Sequence, residues 1–284
     1  MIDFDAIDAH RVKPDDRIAL SKIDTRVKGP FDDKEAGVAY TAEILEEIKQ
    51  LQYRLYAEEK QSILVVLQAP DAAGKDGLIR KVFGPINPQG CRTTAFKVPT
   101  PEERAHDFLW RIHRHTPAAG MIQIFNRSHY EDVLIVRVED LVPKDVWESR
   151  YDLINAFERT VASNRTRILK FYLHISPEEQ LERFGERLNR PEKHWKLNPG
   201  DYEARAKWDD YRDAYEDAIH RCNTDDAPWH VIPADRKWYR NAAVATIIRD
   251  ELRRMDPQFP DVTVDLNEIR RLYEAAGGAP EDRS

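Results

Sequence analysis

The chain has 284 residues, 41% of them hydrophobic and 33% charged, so it is long and apolar enough to bury a core, which argues against wholesale disorder. Its formal net charge of −7 excludes a general nucleic-acid binder, although a locally basic groove can still hold a polyanion. Its acidic N-terminus does not resemble a signal peptide, and no apolar run approaches the roughly 20 residues that span a bilayer.

The N-terminal third begins with a polar segment. Residues 1–34 show little periodicity, so we expect an N-terminal arm that packs on the surface or against another subunit. Apolar residues then recur at helical spacing from Tyr40 to Tyr56, which predicts one amphipathic helix over about residues 34–59.

Short apolar runs follow at regular intervals along the rest of the chain. The run at residues 62–68 is rich in β-branched residues, as in a buried parallel strand. Similar runs lie at 121–125, 168–175 and 229–233, with a weaker one at 92–98. Helical patterns separate these runs, and this alternation predicts an α/β fold with a parallel sheet flanked by helices.

A phosphate-binding loop is predicted directly after the strand at residues 62–68. In the pattern G-x-x-x-x-G-K-[ST], Gly74 and Lys75 match, Ala69 takes the first glycine position, and Asp76 replaces Ser or Thr. Gly74 lets the backbone approach an anion, while the helix N-terminus and Lys75 attract phosphate. The alternative is an ordinary strand–turn–helix with a glycine cap, which the strand context makes less favourable.

The replacement at Asp76 affects the expected metal site. A Ser or Thr hydroxyl at this position would be a neutral ligand for Mg²⁺, and a carboxylate is not. We therefore predict that Asp71 takes over the metal duty, directly or through water, because Mg²⁺ prefers oxygen ligands.

A second group of polar residues follows the strand at residues 121–125. Asn126 stands where an Asp is common in phosphate-loop proteins, and Arg127, Glu131 and Asp132 come after it. Arg127 can grip phosphate with two hydrogen bonds, and either acidic residue restores the charge that Asn126 lacks. The alternative is a strand-end turn with solvated charges.

A basic segment follows the strand at residues 168–175, and its members are Arg183, Arg187, Arg190, Lys193, His194 and Lys196. In an acidic protein, such a cluster indicates a mobile flap that closes over phosphates. A solvated helix face with scattered bases is the alternative.

Together these motifs resemble the family-2 polyphosphate kinases, and within them class III, whose members phosphorylate both nucleoside mono- and diphosphates. Matching stretches lie between about residues 35 and 255, namely LQAPDAAGKDG (67–77), DFLWRIH (107–113), IFNRSHYEDVL (124–134), LHIS (173–176), PEKHWK (191–196) and APWHVIPADRKWY (227–239). Many relatives outside class III have Asp-Arg-Ser-Trp-Tyr-Asn where this chain has residues 126–131.

The resemblance implies a P-loop kinase fold like that of thymidylate kinase, with a helical lid and an N-terminal helical extension. It implies reversible phosphoryl transfer between inorganic polyphosphate and AMP or ADP, giving ADP and ATP. The cofactor it implies is Mg²⁺, with Mn²⁺ as a substitute. We expect a cytoplasmic homo-oligomer, a dimer or tetramer, with no nucleic-acid and no membrane partner.

The resemblance also implies roles for individual residues. It makes Asp71, Lys75, Arg127 and Arg187 catalytic. From the residues themselves we expect Asp71 and Glu131 to be the metal ligands. The further phosphate-binding residues are Ala72, Ala73, Gly74, Asp76, Gly77, Arg80, Lys81, Arg183 and Lys193. The expected nucleotide-binding residues are Asn126, Arg127, Glu131 and Phe96, of which Phe96 is chosen only as an aromatic that can stack on a base and is explained at least as well by a core role.

Glu131 is expected to allow AMP as an acceptor besides ADP, because a carboxylate can position Mg²⁺ or water at an otherwise empty phosphate position. The expected boundaries are the arm at 1–34, the kinase domain at 35–258 with its lid at about 183–205, and a C-terminal tail at 259–284. Two other functions stay open: an ATP-dependent nucleoside monophosphate kinase, and a non-catalytic protein that binds polyphosphate or nucleotide.

Overall fold

The computed structural model describes residues 4–14 and 16–279. Its strands are β1 (Ser62–Gln68), β2 (Cys91–Ala95), β3 (Ile122–Asn126), β4 (Thr166–His174) and β5 (Trp229–Pro233). The four stronger predicted runs agree with β1, β3, β4 and β5 to within two residues at each end. Strand β2 ends at Ala95 and not at residue 98, because its partner β3 turns away at Arg127, where φ is 62°.

The predicted helix at 34–59 is confirmed and begins after Asp33, whose carboxylate accepts a hydrogen bond from the N–H of Ala36. In the described residues the α-helices are α1 (Ala6–His10), α2 (Lys34–Glu58), α3 (Lys75–Leu78), α4 (Pro101–Arg104), α5 (Trp110–His113), α6 (Ile135–Val138), α7 (Lys144–Ser163), α8 (Pro177–Leu188), α9 (Pro199–Ala206), α10 (Trp208–Arg221), α11 (Lys237–Met255) and α12 (Leu266–Ala275). Helix α3 continues directly as a π-helix (Ile79–Phe83), and 3₁₀ turns lie at Leu20–Lys22, His129–Asp132 and Pro191–Lys196.

The five strands form one sheet in the order β2-β3-β1-β4-β5, and every neighbouring pair is parallel. Strands β1 and β3 are neighbours, with Leu67 paired to Asn126. The loop after β1 and the turn after β3 therefore emerge side by side at the carboxyl edge of the sheet, where ligands bind in open α/β proteins.

The core has one hydrophobic cluster on each face of the sheet. Ile63, Val65 and Leu67 of β1 pack with residues of α2 and α11, whereas Leu64 and Val66 pack with residues of α7 and α10. Successive side chains of a strand point to opposite faces, so a strand covered on both sides has to be apolar throughout. This explains the continuous apolar run at residues 62–68.

The described part of the N-terminal arm packs on its own chain. Arg11 forms an antiparallel bridge with His230, and the N–H of Val12 donates to the carbonyl of Trp229 at 2.9 Å. Further along, the imidazole of His174 contacts the carbonyl oxygen of Leu20 at 2.9 Å. The arm thus covers the outer edge of β5 and reaches the carboxyl edge of the sheet.

The segment predicted as a lid consists of α8, the 3₁₀ turn Pro191–Lys196 and α9. The chain then returns through α10 to β5. In the tail, α12 is exposed along its length, including its apolar residues Leu266, Ile269 and Leu272. Within the part of the chain that the structure describes, no helix is both long and apolar enough to cross a membrane.

Candidate active site

The loop between β1 and α3 has the backbone geometry of an anion-binding turn. Ala72 and Gly74 both lie in the left-handed region, with φ of 62° and 100°. The ammonium of Lys75 donates to the carbonyl of Ala69 at 2.8 Å, so it lies folded over its own loop. Burial and the nearby Arg127 guanidinium lower the pKa of Lys75 to about 8.

The turn after β3 faces this loop. Arg127 Nη2 lies 2.8 Å from Asp71 Oδ1, and Arg127 Nη1 lies 3.7 Å from Glu131 Oε2. Burial alone would lower the pKa of Arg127, but the charges of Glu131 and Asp71 outweigh it and the net shift is upward. Three residues that the sequence predicted as catalytic or metal-binding therefore form one charged group.

Asp76 joins the loop to both the second motif and the lid. Its Oδ1 accepts a hydrogen bond from Asn126 Nδ2 at 3.0 Å, and its Oδ2 lies 2.6 Å from Lys196 Nζ. Partial burial would raise the pKa of Asp76, but these two hydrogen bonds overcome it and lower the pKa. The unusual residue at the Ser/Thr position is thus a contact point for the lid.

The lid positions its own charges through a second set of contacts. Arg187, predicted as catalytic, lies 2.8 Å from Asp201 Oδ2 on α9. Asp201 and Asp71 line the same cavity, and burial together with the charge of Asp71 raises the pKa of Asp201. Gln180 of α8 donates to the carbonyl of Asp71 at 3.0 Å, and Arg205 of α9 donates to Gln180.

A cavity of about 630 Å³ opens between the phosphate loop, the lid and the N-terminal arm. Its charged lining includes Asp71, Arg127, Glu131, Asp201 and Arg205. Apolar and aromatic residues form the remaining wall, among them Ile23 of the arm and Tyr172, Trp208, Tyr211 and Tyr215 of the domain. The arrangement suits a ligand with an anionic end and a flat apolar end.

Several predicted site residues lie away from this cavity. Arg80 and Lys81 are exposed on the π-helix beyond the loop. Lys193 lies 3.5 Å from Glu186. Phe96 is 6% exposed and packs edge-to-face on Phe125 with 5.0 Å between ring centroids, so the core alternative describes its position. We therefore do not carry Phe96 into the nucleotide site.

Arg183, predicted to bind phosphate, is buried at 4% exposure. Its Nη1 donates to the carbonyls of Ala72 and Ala73, and its Nη2 donates to those of Ala234 and Asp235. The guanidinium is thus bound to the backbone of the loop, and this geometry favours a supporting role.

The second motif rests on a buried ionic network. Glu158 of α7 accepts hydrogen bonds from His129, Tyr130 and Lys170, the last at 2.6 Å. Burial alone would raise the pKa of Glu158, but the charge of Lys170 lowers it overall. Because Glu158 and Lys170 are almost fully buried, this pair fixes the 3₁₀ turn that carries Glu131.

Sequence reasoning missed Arg240, Gln180 and Asp201. Arg240 of α11 is 2% exposed, and its Nη1 lies 3.2 Å from the carbonyl oxygens of Ala73 and Gly74. The sequence did offer one signal for Arg240, which precedes the apolar stretch of residues 242–248. An arginine that a neighbouring apolar stretch carries into the interior usually needs a specific partner there. The other two carry no such signal.

The two predicted metal ligands lie close together at the cavity. Asp71 and Glu131 share the Arg127 guanidinium and offer carboxylate oxygens at one side of the cavity. Within the described residues, no group of three or more acidic, His or Cys side chains is arranged to hold a metal ion. Mg²⁺ usually takes only one or two carboxylates and completes its shell with phosphate and water, so this pair fits it.

Comparison with known proteins gives a consistent result. The family model described as Polyphosphate kinase 2 matches residues 32–260. An AMP/ADP-polyphosphate phosphotransferase of Meiothermus ruber is 50% identical over 88% of this chain and 94% of its own length. An ADP-polyphosphate phosphotransferase of Rhodopseudomonas palustris is 41% identical over 89% of this chain and 92% of its own.

Among solved structures, polyphosphate kinase 2 of Arthrobacter aurescens superposes with a TM-score of 0.91. It is 41% identical in sequence, and the match covers 95% of this chain and 96% of that one.

Proposed function

The chain belongs to the polyphosphate kinase 2 family, and from this premise we infer that it transfers the terminal phosphoryl group of inorganic polyphosphate to AMP and ADP. The similar proteins named above are phosphotransferases that join polyphosphate to AMP/ADP or to ADP. The enzyme is therefore a polyphosphate kinase, and its two acceptors give ADP and ATP as products.

One observation supports this function most strongly: Arg127 lies between Asp71 and Glu131 at the wall of the cavity, close enough to Lys75 to lower the pKa of its ammonium. Phosphoryl transfer needs positioned charges more than it needs a covalent nucleophile, because negative charge spreads over the transferred group. Lys75 and Arg127 supply two positive groups at one point, and the loop backbone adds oriented N–H dipoles.

We assign Lys75 and Arg127 to the transferring phosphoryl group. In the described structure both are held by internal partners, the carbonyl of Ala69 and the carboxylate of Asp71. A bound phosphate chain would take over these donors, and Asp71 would then be free to orient the attacking phosphate oxygen. Gly74, Gly77 and the peptide groups of Ala72 and Ala73 would form the cradle around it.

Asp71 and Glu131 are the residues that would hold Mg²⁺, which when bound neutralises charge on the reacting phosphates. Glu131 has a further role in acceptor choice. AMP lacks the second phosphate of ADP. The Glu131 carboxylate can hold a water molecule or Mg²⁺ in the space that this phosphate would occupy.

Arg187 and Lys193 are proposed to meet the phosphate chain once the lid has closed, Arg187 by leaving Asp201. The nucleotide site is proposed to use Asn126, Arg127 and Glu131. Cytoplasmic location and a homo-oligomeric assembly remain predictions from the sequence.

The test is a product analysis with purified protein, Mg²⁺, polyphosphate and either AMP or ADP, separated by ion-exchange chromatography. We expect ADP and ATP from AMP, and ATP from ADP. A parallel reaction contains AMP and ATP but no polyphosphate. An ATP-dependent nucleoside monophosphate kinase would phosphorylate AMP faster with ATP than with polyphosphate, whereas we expect the opposite order. Chelation of the metal with EDTA is expected to stop the reaction, and excess Mg²⁺ to restore it.

The role of Glu131 has its own variant. Glu131→Gln is expected to lose turnover of AMP by a larger factor than turnover of ADP. Equal losses with both acceptors would contradict the proposed role in acceptor choice.

A further inference from the structure

Two arginines from distant parts of the chain lie under the phosphate loop. Arg183 comes from α8 in the lid segment and Arg240 from the first turns of α11, and both are almost fully buried. Neither lines the cavity. They contact the opposite side of the loop backbone through hydrogen bonds to its carbonyl groups.

These hydrogen bonds cover three successive carbonyls. Arg183 Nη1 lies 3.0 Å from the oxygen of Ala72 and 2.9 Å from that of Ala73. Arg240 Nη1 lies 3.2 Å from the oxygens of both Ala73 and Gly74. The carbonyl of Ala73 is therefore held by both guanidinium groups.

The planar peptide unit links the direction of these carbonyls to the direction of the neighbouring N–H groups. In a planar trans peptide, the C=O of one residue and the N–H of the next point in opposite directions. Carbonyls of Ala73 and Gly74 that are drawn toward Arg240 leave the N–H groups of Gly74 and Lys75 pointing away from it. That is the direction in which a bound phosphate has to lie to receive them.

The fit between Arg240 and the loop is close. A Cβ added to Gly74 would lie 2.2 Å from Arg240 Nη1, so the glycine leaves room for the guanidinium as well as allowing φ of 100°. Arginine suits this place because its planar fork can donate to two carbonyls at once, which a lysine ammonium does with less geometric definition.

The two arginines differ in how their charge is balanced. Arg183 Nε lies 2.7 Å from the Glu179 carboxylate, whereas the side-chain partner of Arg240 is the neutral amide oxygen of Asn241. Burial and the charge of Arg183 lower the pKa of Arg240 to about 9. Arg240 thus places a positive charge directly beneath the predicted phosphate position, in a region of low dielectric where it acts strongly.

We propose that Arg240 is a positioning residue for phosphoryl transfer. Its guanidinium holds the carbonyls of Ala73 and Gly74 so that the N–H groups of Gly74 and Lys75 face the phosphate chain. Its positive charge also attracts the phosphate chain from the other side of the loop. This proposal rests on the polyphosphate kinase function inferred above.

The first test removes the guanidinium and then supplies it from solution. Arg240→Ala is expected to lose about a hundredfold in kcat/KM for polyphosphate, the order of loss when one oriented transition-state donor is removed. Millimolar guanidinium chloride is expected to recover at least tenfold of this activity. Urea, which has a similar shape but no charge, is expected to recover little.

Matched controls separate this role from a general effect on the fold. Arg249→Ala removes another largely buried arginine of α11, which pairs with Asp250 about 13 Å further along the helix. It is expected to keep wild-type kinetics and to respond to neither additive. If Arg240→Ala does not fold, Arg240→Lys replaces it, with an expected loss of about tenfold or more in kcat/KM.

Three results would overturn the proposal: wild-type kcat/KM in a folded Arg240 variant, equal recovery with urea and guanidinium, or recovery of Arg249→Ala by guanidinium. A wild-type protein without any polyphosphate-dependent turnover would contradict the proposed function itself. The two failures are therefore distinguishable in the same set of assays.

Discussion

Asp71, Glu131, Lys75 and Arg127 form a set of two negative and two positive charges before substrate arrives. Arg127 is held by Asp71 at 2.8 Å, and Lys75 is held by the carbonyl of Ala69. Such a site gives each of its partly buried cations a hydrogen-bond partner, which lowers the cost of removing the charge from water. When phosphate binds, Lys75 and Arg127 exchange these internal partners for phosphate oxygens. Neither cation is left without a partner before or after the exchange.

Substitution of the two loop residues tests the catalytic assignment. Asp71→Asn and Lys75→Ala are each expected to abolish ATP formation from polyphosphate and ADP while the fold survives, because neither side chain belongs to a hydrophobic core cluster. The measurement is ATP production by luciferase assay, with circular dichroism as the control for folding. Retained turnover in either folded variant would refute its assigned role.

The lowered pKa of Lys75 predicts a dependence on pH. With a pKa of about 8, Lys75 is charged below this pH and becomes neutral as the pH rises through it. The charge that attracts phosphate is then lost, so kcat/KM for polyphosphate in the free enzyme should fall above about pH 8.

The variant Lys75→Arg serves as the control, because an arginine keeps its charge over the accessible range. In whatever activity this variant retains, the decline near pH 8 should be absent. A decline at the same pH in both proteins would assign it to another group.

At the scale of the elements, the 3₁₀ turn Pro191–Lys196 of the lid meets the loop through a partly exposed ion pair between Lys196 and Asp76. Asp76 is 63% exposed and Lys196 31% exposed, so water and salt weaken their attraction. Pairs of this kind contribute about 1 kcal/mol or less. This turn is therefore held lightly, which suits the proposed opening of the lid at each turnover.

Removal of this pair should have a modest kinetic effect. Lys196→Met is expected to raise KM for polyphosphate by less than about tenfold, since the lost contact amounts to about 1 kcal/mol or less and the charge near the chain falls by one. Raising the salt concentration should reduce the difference in KM for polyphosphate between the wild-type protein and Lys196→Met, because salt screens the ion pair. An unchanged KM, or a loss of folding, would be inconsistent with a light contact of this kind.

The ionic network under the second motif should respond quite differently. Lys170→Met leaves the Glu158 carboxylate buried without its charge partner, which typically costs about 3–5 kcal/mol of unfolding free energy. Urea denaturation measures this loss. Lys49→Met removes a surface partner of Glu46 and should change stability by no more than about 0.5 kcal/mol. A comparably small loss in Lys170→Met would refute the importance of the buried pair.

Across the whole molecule, local patterns predicted the elements better than they predicted their contacts. The run at residues 62–68 and the helix around Ile48 follow from periodicity and composition, and the parallel order follows from their alternation. Asp71 and Arg127 follow from short motifs next to strands. These features share one property: the signal for each lies within a few residues of the feature itself.

The contacts that sequence reasoning missed connect distant segments. Arg240 reaches the loop at Gly74 from α11, and Asp201 reaches Arg187 across the turn of the lid. Residue type alone did not reveal that Arg183 binds carbonyls of the loop, because a basic residue in a lid and one beneath a loop look alike in sequence. Phe96 posed the same difficulty, since core packing and base stacking favour the same side chain.

The position of the N-terminal arm has a consequence for the order of events during synthesis. Val12 donates to Trp229, and Ile23 completes a wall of the cavity, so the arm docks on a strand that is translated long after it. Contacts so far apart in sequence form late and slowly. A ribosome-bound chain that has already made the loop residues still lacks this wall and Arg240, so the substrate cavity cannot be complete until β5 and α11 have been translated.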